Sequence, residues 1–448
     1  MTATTPGPRE LADALLKRTS WSPDELAEHQ TRALEALLRH AVTASPYYRR
    51  MLGPDAVDAP LAQLPTLSKA TLMEHFDEIV TDSRLGRARL EAHLTGPRAG
   101  QPLDGYRVLS TAGSTGFRGI FVYSEEEMSA GVAAMLRTMR LFGITPGMRV
   151  AGVGAADPVH ISRHLIAGVT GQLPDAARTS AADPLPHLVE VFNTAAPDVL
   201  FGYPSMHALL AEEQLAGRLH IAPRTVVYAG EVMSEDMRAR IGAAWGVMPH
   251  SLYSATEVAM IASSCSARVG MHLWEDLVLV EVVDEHDRPV PAGVLGHKIL
   301  ITNLFSRAQP LIRYEISDSV ALSEGPNPTG WPFRRITAVE GRSDDIVHLA
   351  AAGGGTVAVH PVHLRAPFGG FPEIVQYQIV HDSTGIEVLI VQRPGADRET
   401  PERIRDALAR RLRTAGALPP PITVTPVTRI DRGSSHATKF AIVRSRRS

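Results

Sequence analysis

From about residue 106 onward, short apolar runs rich in β-formers alternate with capped helices, and this alternation confines the chain to an α/β architecture. A strand is predicted at 106–109. Ser124-Glu125-Glu126-Glu127 then supplies a capping serine with a glutamate three positions on, opening a helix that reaches Phe142-Gly143. Further strands are expected at 150–153, 199–202, 226–229 and 251–253, with Ser205 and Ser234 placed to cap the helices that follow two of them. Upstream, Ser22-Pro23-Asp24-Glu25 combines cap, first-turn proline and capping-box glutamate ahead of Leu34, Leu37, Leu38 and Ala41. That helix should stop near Ser45-Pro46.

After residue 276 the helical spacing vanishes, and 277–283 and 298–302 read as strands joined through turns at Pro289, Pro291, Gly293 and Gly296. A second shift follows Gly341-Arg342-Ser343-Asp344-Asp345. There 346–349, the turn Gly353-Gly354-Gly355 and 357–359 make a hairpin, followed by strands at 375–380 and 386–391, a helix at 401–415 and a strand at 422–427. The expected organisation of the 448 residues is a large unit over 1–341, with sheets packed against helices plus a β-rich subdomain, and a small mobile α+β unit over 342–448.

The formal charge of −3 is too balanced for a chain whose main partner is a phosphate backbone. With one cysteine, Cys265, neither an intramolecular disulfide nor a thiolate-rich zinc site can form. No apolar run approaches 18 residues, and the opening ten residues lack the basic-then-apolar order of a signal peptide. The expectation is a cytoplasmic protein with neither a nucleic-acid nor a membrane partner; a homodimer is left open.

Several segments have the residue types that chemistry requires. Thr111-Ala112-Gly113-Ser114-Thr115-Gly116-Phe117-Arg118-Gly119 lies between two β-rich runs, and its glycines and hydroxyls give the close backbone approach and donors that phosphate oxygens need. It lacks the spacing and lysine of the Walker loop. Tyr253-Ser254-Ala255-Thr256-Glu257 places an aromatic face, hydroxyls and a carboxylate at a strand's carboxyl end, where open α/β sheets bind ligands and where a carboxylate can hold Mg²⁺. Ala229-Gly230-Glu231 ends another strand, and its glycine permits a base to lie flat against the backbone. Arg313-Tyr314-Glu315-Ile316-Ser317-Asp318 precedes Gly341-Arg342-Ser343-Asp344-Asp345, and a carboxylate can take two ribose hydroxyls while a nearby arginine can take ribose or phosphate oxygens. Lys439 lies in the glycine-serine stretch Gly433-Ser434-Ser435-His436-Ala437-Thr438-Lys439. Taken alone, the first reads equally as a surface turn, and the others read more readily as a first-turn helix glutamate at Glu257, a plain turn, surface ion pairs and a solvated lysine.

Taken in order, these segments resemble the adenylate-forming enzymes: acyl-CoA synthetases, luciferases and adenylation domains. Ser45-Pro46-Tyr47-Tyr48-Arg49-Arg50, Leu64-Pro65-Thr66-Leu67-Ser68-Lys69 and Pro310-Leu311-Ile312-Arg313-Tyr314 make the chain most similar to phenylacetate-CoA ligases, over about residues 20–440. The resemblance implies two half-reactions: carboxylate plus MgATP to acyl-adenylate and pyrophosphate, then capture of the acyl group by a nucleophile. It also implies roles. Ser110, Thr111, Gly113, Ser114, Thr115 and Gly116 would grip the outer phosphates; Ala229, Gly230 and Glu231 would flank adenine, with Tyr253 and Ser254 beside it. Thr256 and Glu257 would meet the α-phosphate and Mg²⁺, Asp318 and Arg342 the ribose, Asp344 would be the hinge, and Lys439 would bridge the reacting carboxylate and α-phosphate. Charge logic agrees, since a carboxylate attacking a triphosphate must overcome like-charge repulsion.

Two strand-end segments are expected to line the acid pocket: Asp157 and His160 on one, Tyr203 and Pro204 on the other. For His160 a structural histidine is the favoured reading, beside contact with a ring substituent or deprotonation of the acceptor. The chain departs from the family at Phe117-Arg118, where Lys-Pro is usual, at Ser254, usually glycine, and at Ile316-Ser317, usually Thr-Gly. The expected activity is ATP-dependent activation of a small aromatic acid with transfer to CoA. Transfer to an amine or hydroxyl of a second aryl substrate, giving an amide, ester or benzoxazole-type product, is the rival, and a catalytically silent nucleotide-binding homologue is the rival of another class.

Overall fold

The computed structural model describes the chain except residues 1–5, 112–118, 156, 171–175, 182, 343–346, 360–362, 365, 372, 431–442 and 446–448. Six helices come first: α1 (Pro8–Lys17), α2 (Pro23–Ala44), α3 (Pro46–Leu52), α4 (Lys69–Glu74), α5 (Phe76–Ile79) and α6 (Arg87–Thr95). The α2 capping box forms as the sequence predicts. Glu25 N donates to Ser22 Oγ at 3.1 Å and Ser22 N to Glu25 Oε2 at 2.7 Å. The helix ends at Ala44, but Ser45 at once caps α3 through Tyr48 N. The hairpin β1 (Tyr106–Ser110) and β2 (Ile120–Ser124) leads into α7 (Glu125–Leu141), whose Ser124–Glu127 box is also in place. Glu127 serves twice, since its other oxygen accepts from Ala308 N at 2.9 Å and so anchors the helix start to a distant loop.

The alternating stretch runs β3 (Val150–Gly154), α8 (Ile161–Thr170), β4 (Ala177–Ser180), α9 (Leu185–Ala195), β5 (Val199–Gly202), α10 (Pro204–Leu215), β6 (Thr225–Ala229), α11 (Glu235–Trp245) and β7 (His250–Tyr253). It continues through β8 (Ala262–Ser263), β9 (Met271–Leu273), β10 (Val278–Val283), β11 (Lys298–Asn303), β12 (Tyr314–Ile316), β13 (Asp318–Leu322) and β14 (Arg335–Arg342). The central sheet has nine strands in the order β13-β14-β9-β8-β7-β6-β5-β3-β4, parallel from β4 to β7 and antiparallel beyond. A separate antiparallel sheet, β10-β11-β12, forms the β-rich part expected after residue 276. Ser234 caps α11 through Met237 N. Ser205 does not cap α10: Tyr203 is the cap residue, Pro204 the first helical residue, and Ser205 already lies inside the helix. With proline at the first helical position, the cap lies two residues upstream of the sequence-based expectation.

At the core, Arg137 is fully buried with Asp276 at 2.8 Å and the Trp274 ring 3.8 Å below its guanidinium. Burial pulls the guanidinium below its ordinary range and the Asp276 charge opposes this. Removing either partner would strand a charge in the interior, a cost of about 3–5 kcal/mol.

The chain after residue 346 builds an apolar core of its own from Val347, Leu349, Ile379, Val388, Ile404, Leu408 and neighbours. The predicted hairpin is β15 (Val347–Ala350) with β16 (Thr356–Val359). Strands β17 (Ile374–Asp382) and β18 (Gly385–Gln392), helix α12 (Thr400–Thr414), β19 (Ile422–Pro426) and β20 (Val443–Ser445) give a sheet in the order β19-β18-β17-β20. Ile404, Leu408 and Leu412, at helical spacing along α12, are its buried stripe. Among the described residues no helix is long and apolar enough to cross a membrane.

Candidate active site at the carboxyl ends of the central strands

Four segments singled out in the sequence leave the sheet at the same edge, because β3, β5, β6 and β7 run parallel and each ends where its segment begins. They are Asp157–His160 after β3, Tyr203-Pro204 after β5, Ala229-Gly230-Glu231 at the end of β6, and 253–257 at the end of β7. An open sheet offers a binding crevice there.

The turn after β7 is held by distant groups. Tyr253 Oη donates to Asp318 Oδ2 at 2.6 Å, tying the proposed adenine-stacking ring to the proposed ribose carboxylate. Across the β13–β14 ladder Asp318 pairs directly with Arg342, so both proposed ribose residues occupy one rung. The carbonyl of Thr256, itself 7% exposed, accepts from Tyr123 Oη at 2.6 Å, and the carbonyl of Glu257 accepts from Asn303 Nδ2 at 3.3 Å. No helix follows β7, so Glu257 stands on a turn and not in the first turn of a helix. Burial, with the charges of Glu257 and Glu127 added, holds the Tyr123 phenol well above its ordinary pKa. It stays a neutral donor. Tyr123 lies on β2, the strand that follows the proposed phosphate-binding segment, so the hairpin that carries this segment also braces the Thr256-Glu257 turn.

Around the loop itself, Thr111 N donates to the Gly119 carbonyl at 3.0 Å and Gly119 N to Thr111 Oγ1 at 2.9 Å, while Ser110 N donates to the Val159 carbonyl at 3.2 Å. Gly113, Ser114, Thr115, Gly116 and the divergent Phe117-Arg118 lie outside the described residues, as do Asp344 and Lys439. Arg342 is described by its strand pairing alone.

Gly230 has φ +81, the left-handed conformation that glycine adopts without strain. The next residue, Glu231, turns its Oε2 toward the start of α10 and accepts from Ser205 N at 3.1 Å, linking the proposed adenine segment to the proposed pocket segment. Tyr203 is 5% exposed. Asp157 and His160 are engaged locally: Val159 N donates to Asp157 Oδ1 at 3.1 Å, and Ser162 N to His160 Nδ1 at 3.2 Å. With Nδ1 accepting, a neutral His160 carries its proton on Nε2 and presents a donor there, not a base.

Sequence reasoning missed Tyr123 and Asn303. Tyr123 ends the apolar run 120–123 and Asn303 lies one residue past the predicted strand 298–302, and nothing in a linear reading pairs Tyr123 with a turn 133 residues away.

For magnesium, the donor set suits a hard, oxygen-seeking ion that keeps waters and phosphate oxygens and takes one or two carboxylates. Glu257 offers a carboxylate on the braced turn. Among the described residues the only closely grouped metal-ligating set is Asp284, Glu285 and His286, on an exposed turn far along the chain.

No family model matches the chain. It is 25% identical over 382 residues to the phenylacetate-coenzyme A ligase of Thermus thermophilus, covering 80% of this chain and 78% of that one. To the Escherichia coli K12 enzyme of the same name it is 26% identical over 396 residues, covering 82% and 80%. Among solved structures, 2-hydroxyisobutyryl-CoA ligase in the postadenylation state with 2-HIB-AMP superposes with a TM-score of 0.77 at 20% identity, covering 96% of this chain and 92% of that one. The same ligase with 2-HIB-AMP and CoA in the thioesterification state is covered almost equally, 96% and 91%, but scores 0.61. The fold is the one found in these adenylate-forming CoA ligases. The curated relatives of the chain include phenylacetate-coenzyme A ligases.

Proposed function

We propose that this chain uses ATP to activate a small aromatic carboxylic acid and passes the acyl group to CoA. In the first half-reaction a carboxylate oxygen attacks the α-phosphorus, the bond to the β,γ-diphosphate breaks, and pyrophosphate leaves. In the second, the CoA sulfur attacks the acyl carbonyl and AMP leaves. The observation that carries this reading is the Tyr253–Asp318 bond beside the braced Thr256-Glu257 turn, at the sheet edge where the segments after β3, β5 and β6 also leave their strands. An aromatic face, a ribose-binding carboxylate and a metal-binding carboxylate there make a nucleotide site. The phenylacetate-activating relatives favour an aryl acid.

In this reading Tyr253 stacks on adenine, Asp318 and Arg342 take the ribose hydroxyls, and the segment from Ser110 to Gly116 holds the outer phosphates. Ala229, Gly230 and Glu231 flank the base. Lys439 joins the reacting carboxylate to the α-phosphate, offsetting their repulsion. Bound Mg²⁺, held by Glu257 and phosphate oxygens, would supply further positive charge there. Tyr203 and Pro204 line the acid pocket with the segment around Asp157 and His160. The small unit over 342–448 turns between half-reactions about Asp344, and the single cysteine fits a cytoplasmic setting.

Product analysis tests the acceptor. With ATP, Mg²⁺ and an aryl acid, CoA should give a thioester. Adenylate consumed equally fast by an aminophenol without CoA, together with no thioester from CoA alone, would replace this reading with the amide- or benzoxazole-forming one.

A further inference from the structure

Where the small unit meets the large one, a carboxylate on α10 is shared by arginines from both. Glu212 Oε1 lies 3.2 Å from Arg240 Nη1 on α11 and also bonds Nη2 of Arg393, just past β18 in the small unit. Arg240 crosses the junction itself: its Nη2 donates to the Ile374 carbonyl at the start of β17 at 2.8 Å and is held by Asp236 at 2.7 Å. Val375 packs its side chain against the apolar cluster under α10 and α11. Glu212 and Arg240 are 15% and 11% exposed, so that pair is partly desolvated and less screened than a surface pair, whereas Arg393 reaches it from solvent at 44% exposure.

We propose that Glu212 is a positioning residue that holds the small unit in the adenylate-forming arrangement, so that releasing it penalises adenylate formation and not acyl transfer. The inference rests on the two-step reaction proposed above. Three observations carry it. First, no other charged side chain among those named here bridges both units with two arginines at once, and Arg240 adds a main-chain contact that a rotation of β17 would break. Second, at nearly equal coverage the chain superposes on the postadenylation form of 2-hydroxyisobutyryl-CoA ligase with a TM-score of 0.77 and on its thioesterification form with 0.61, so the arrangement in this chain is nearer to the form captured before acyl transfer. Third, none of the four groups lies among the proposed nucleotide or acid contacts, so the contact can act on the position of the small unit without touching the chemistry. An equilibrium between two arrangements moves only by the difference in interaction energy between them, and an ion-pair set present in one alone supplies such a difference.

The experiment uses the full chain with spin labels on Met248→Cys in the large unit and Leu418→Cys in the small one, both about half exposed, while native Cys265 is buried at 3%. Glu212→Gln removes the shared charge; Arg393→Glu, at an exposed position, sets like charges against each other and guards against a folding defect in the first variant. Both should broaden the inter-label distance distribution or move it from that of the parent. Both should also slow carboxylate-dependent ATP–pyrophosphate exchange by about tenfold while consumption of isolated acyl-adenylate by CoA is unchanged or faster. Unchanged distances in both variants, or equal loss in the two half-reactions, overturns the proposal. If the labelled parent shows no exchange with any acid, the reading of the function fails instead, and the distance distributions still decide whether Glu212 holds the units together.

Discussion

Tyr253 Oη donates to Asp318 Oδ2 at 2.6 Å, joining residues 65 positions apart at the edge of the central sheet. The bond fixes the plane of the tyrosine ring relative to the carboxylate, so a base stacked on one and a ribose held by the other must sit at a set distance. Tyr253→Phe keeps the ring and removes the donor. It is expected to raise the KM for ATP by about tenfold, the size of one hydrogen bond to a charged group, with a much smaller change in kcat. Steady-state kinetics with varied ATP checks this, and an unchanged KM would show that the bond positions nothing.

Lys439→Ala should cut adenylate formation by at least ~10²- to 10³-fold, as expected for one electrostatic contact formed at the transition state. The circular-dichroism spectrum and unfolding midpoint should stay those of the parent. Parental exchange rates in the variant would assign the role to another cation.

Asp344→Pro fixes φ at about −65° at the proposed hinge. Pyrophosphate exchange should persist while acyl transfer to CoA is suppressed, because in the proposed scheme the small unit turns only for the second half-reaction. Equal loss of both steps, measured separately, would place the hinge elsewhere.

Three histidines bear on acid stability. Burial pushes His207, His250 and His272 down from 6.5 to about 4. Between those values the unfolded chain binds more protons than the folded one, so stability rises with pH and is lost as pH falls from about 6.5 toward 4. The fully buried His207 alone accounts for about 3 kcal/mol across that window. Calorimetric unfolding near pH 5.5 in buffers of different ionisation heat should show net proton uptake; no uptake would mean that these rings are charged in the folded protein.

How much of this was legible in the sequence follows from the range of the interactions. The Ser22–Glu25 and Ser124–Glu127 boxes are local and formed where predicted, and the strand runs at 150–153, 199–202 and 226–229 became β3, β5 and β6. Helix α1 and the short helices α3 to α6 were missed, since each is only a few turns long and several start at a proline or a capping serine with little periodicity to follow. The cap of α10 is Tyr203, two positions before Ser205, because Pro204 opens the helix. In the site, β7 and the residues after it were found from composition, whereas the braces from Tyr123 and Asn303 depend on strand order in three dimensions. The reach of Glu231 to Ser205 N was hidden for the same reason.

The central claim is that this site joins a carboxylic acid to AMP. Carboxylate-dependent ATP–pyrophosphate exchange, run across benzoates, phenylacetates and short fatty acids with and without Mg²⁺, tests it most directly. The account predicts exchange with at least one aryl acid, dependent on Mg²⁺ and lost in Lys439→Ala. A folded protein that binds ATP yet exchanges no pyrophosphate with any of these acids would contradict it and leave a silent nucleotide-binding homologue.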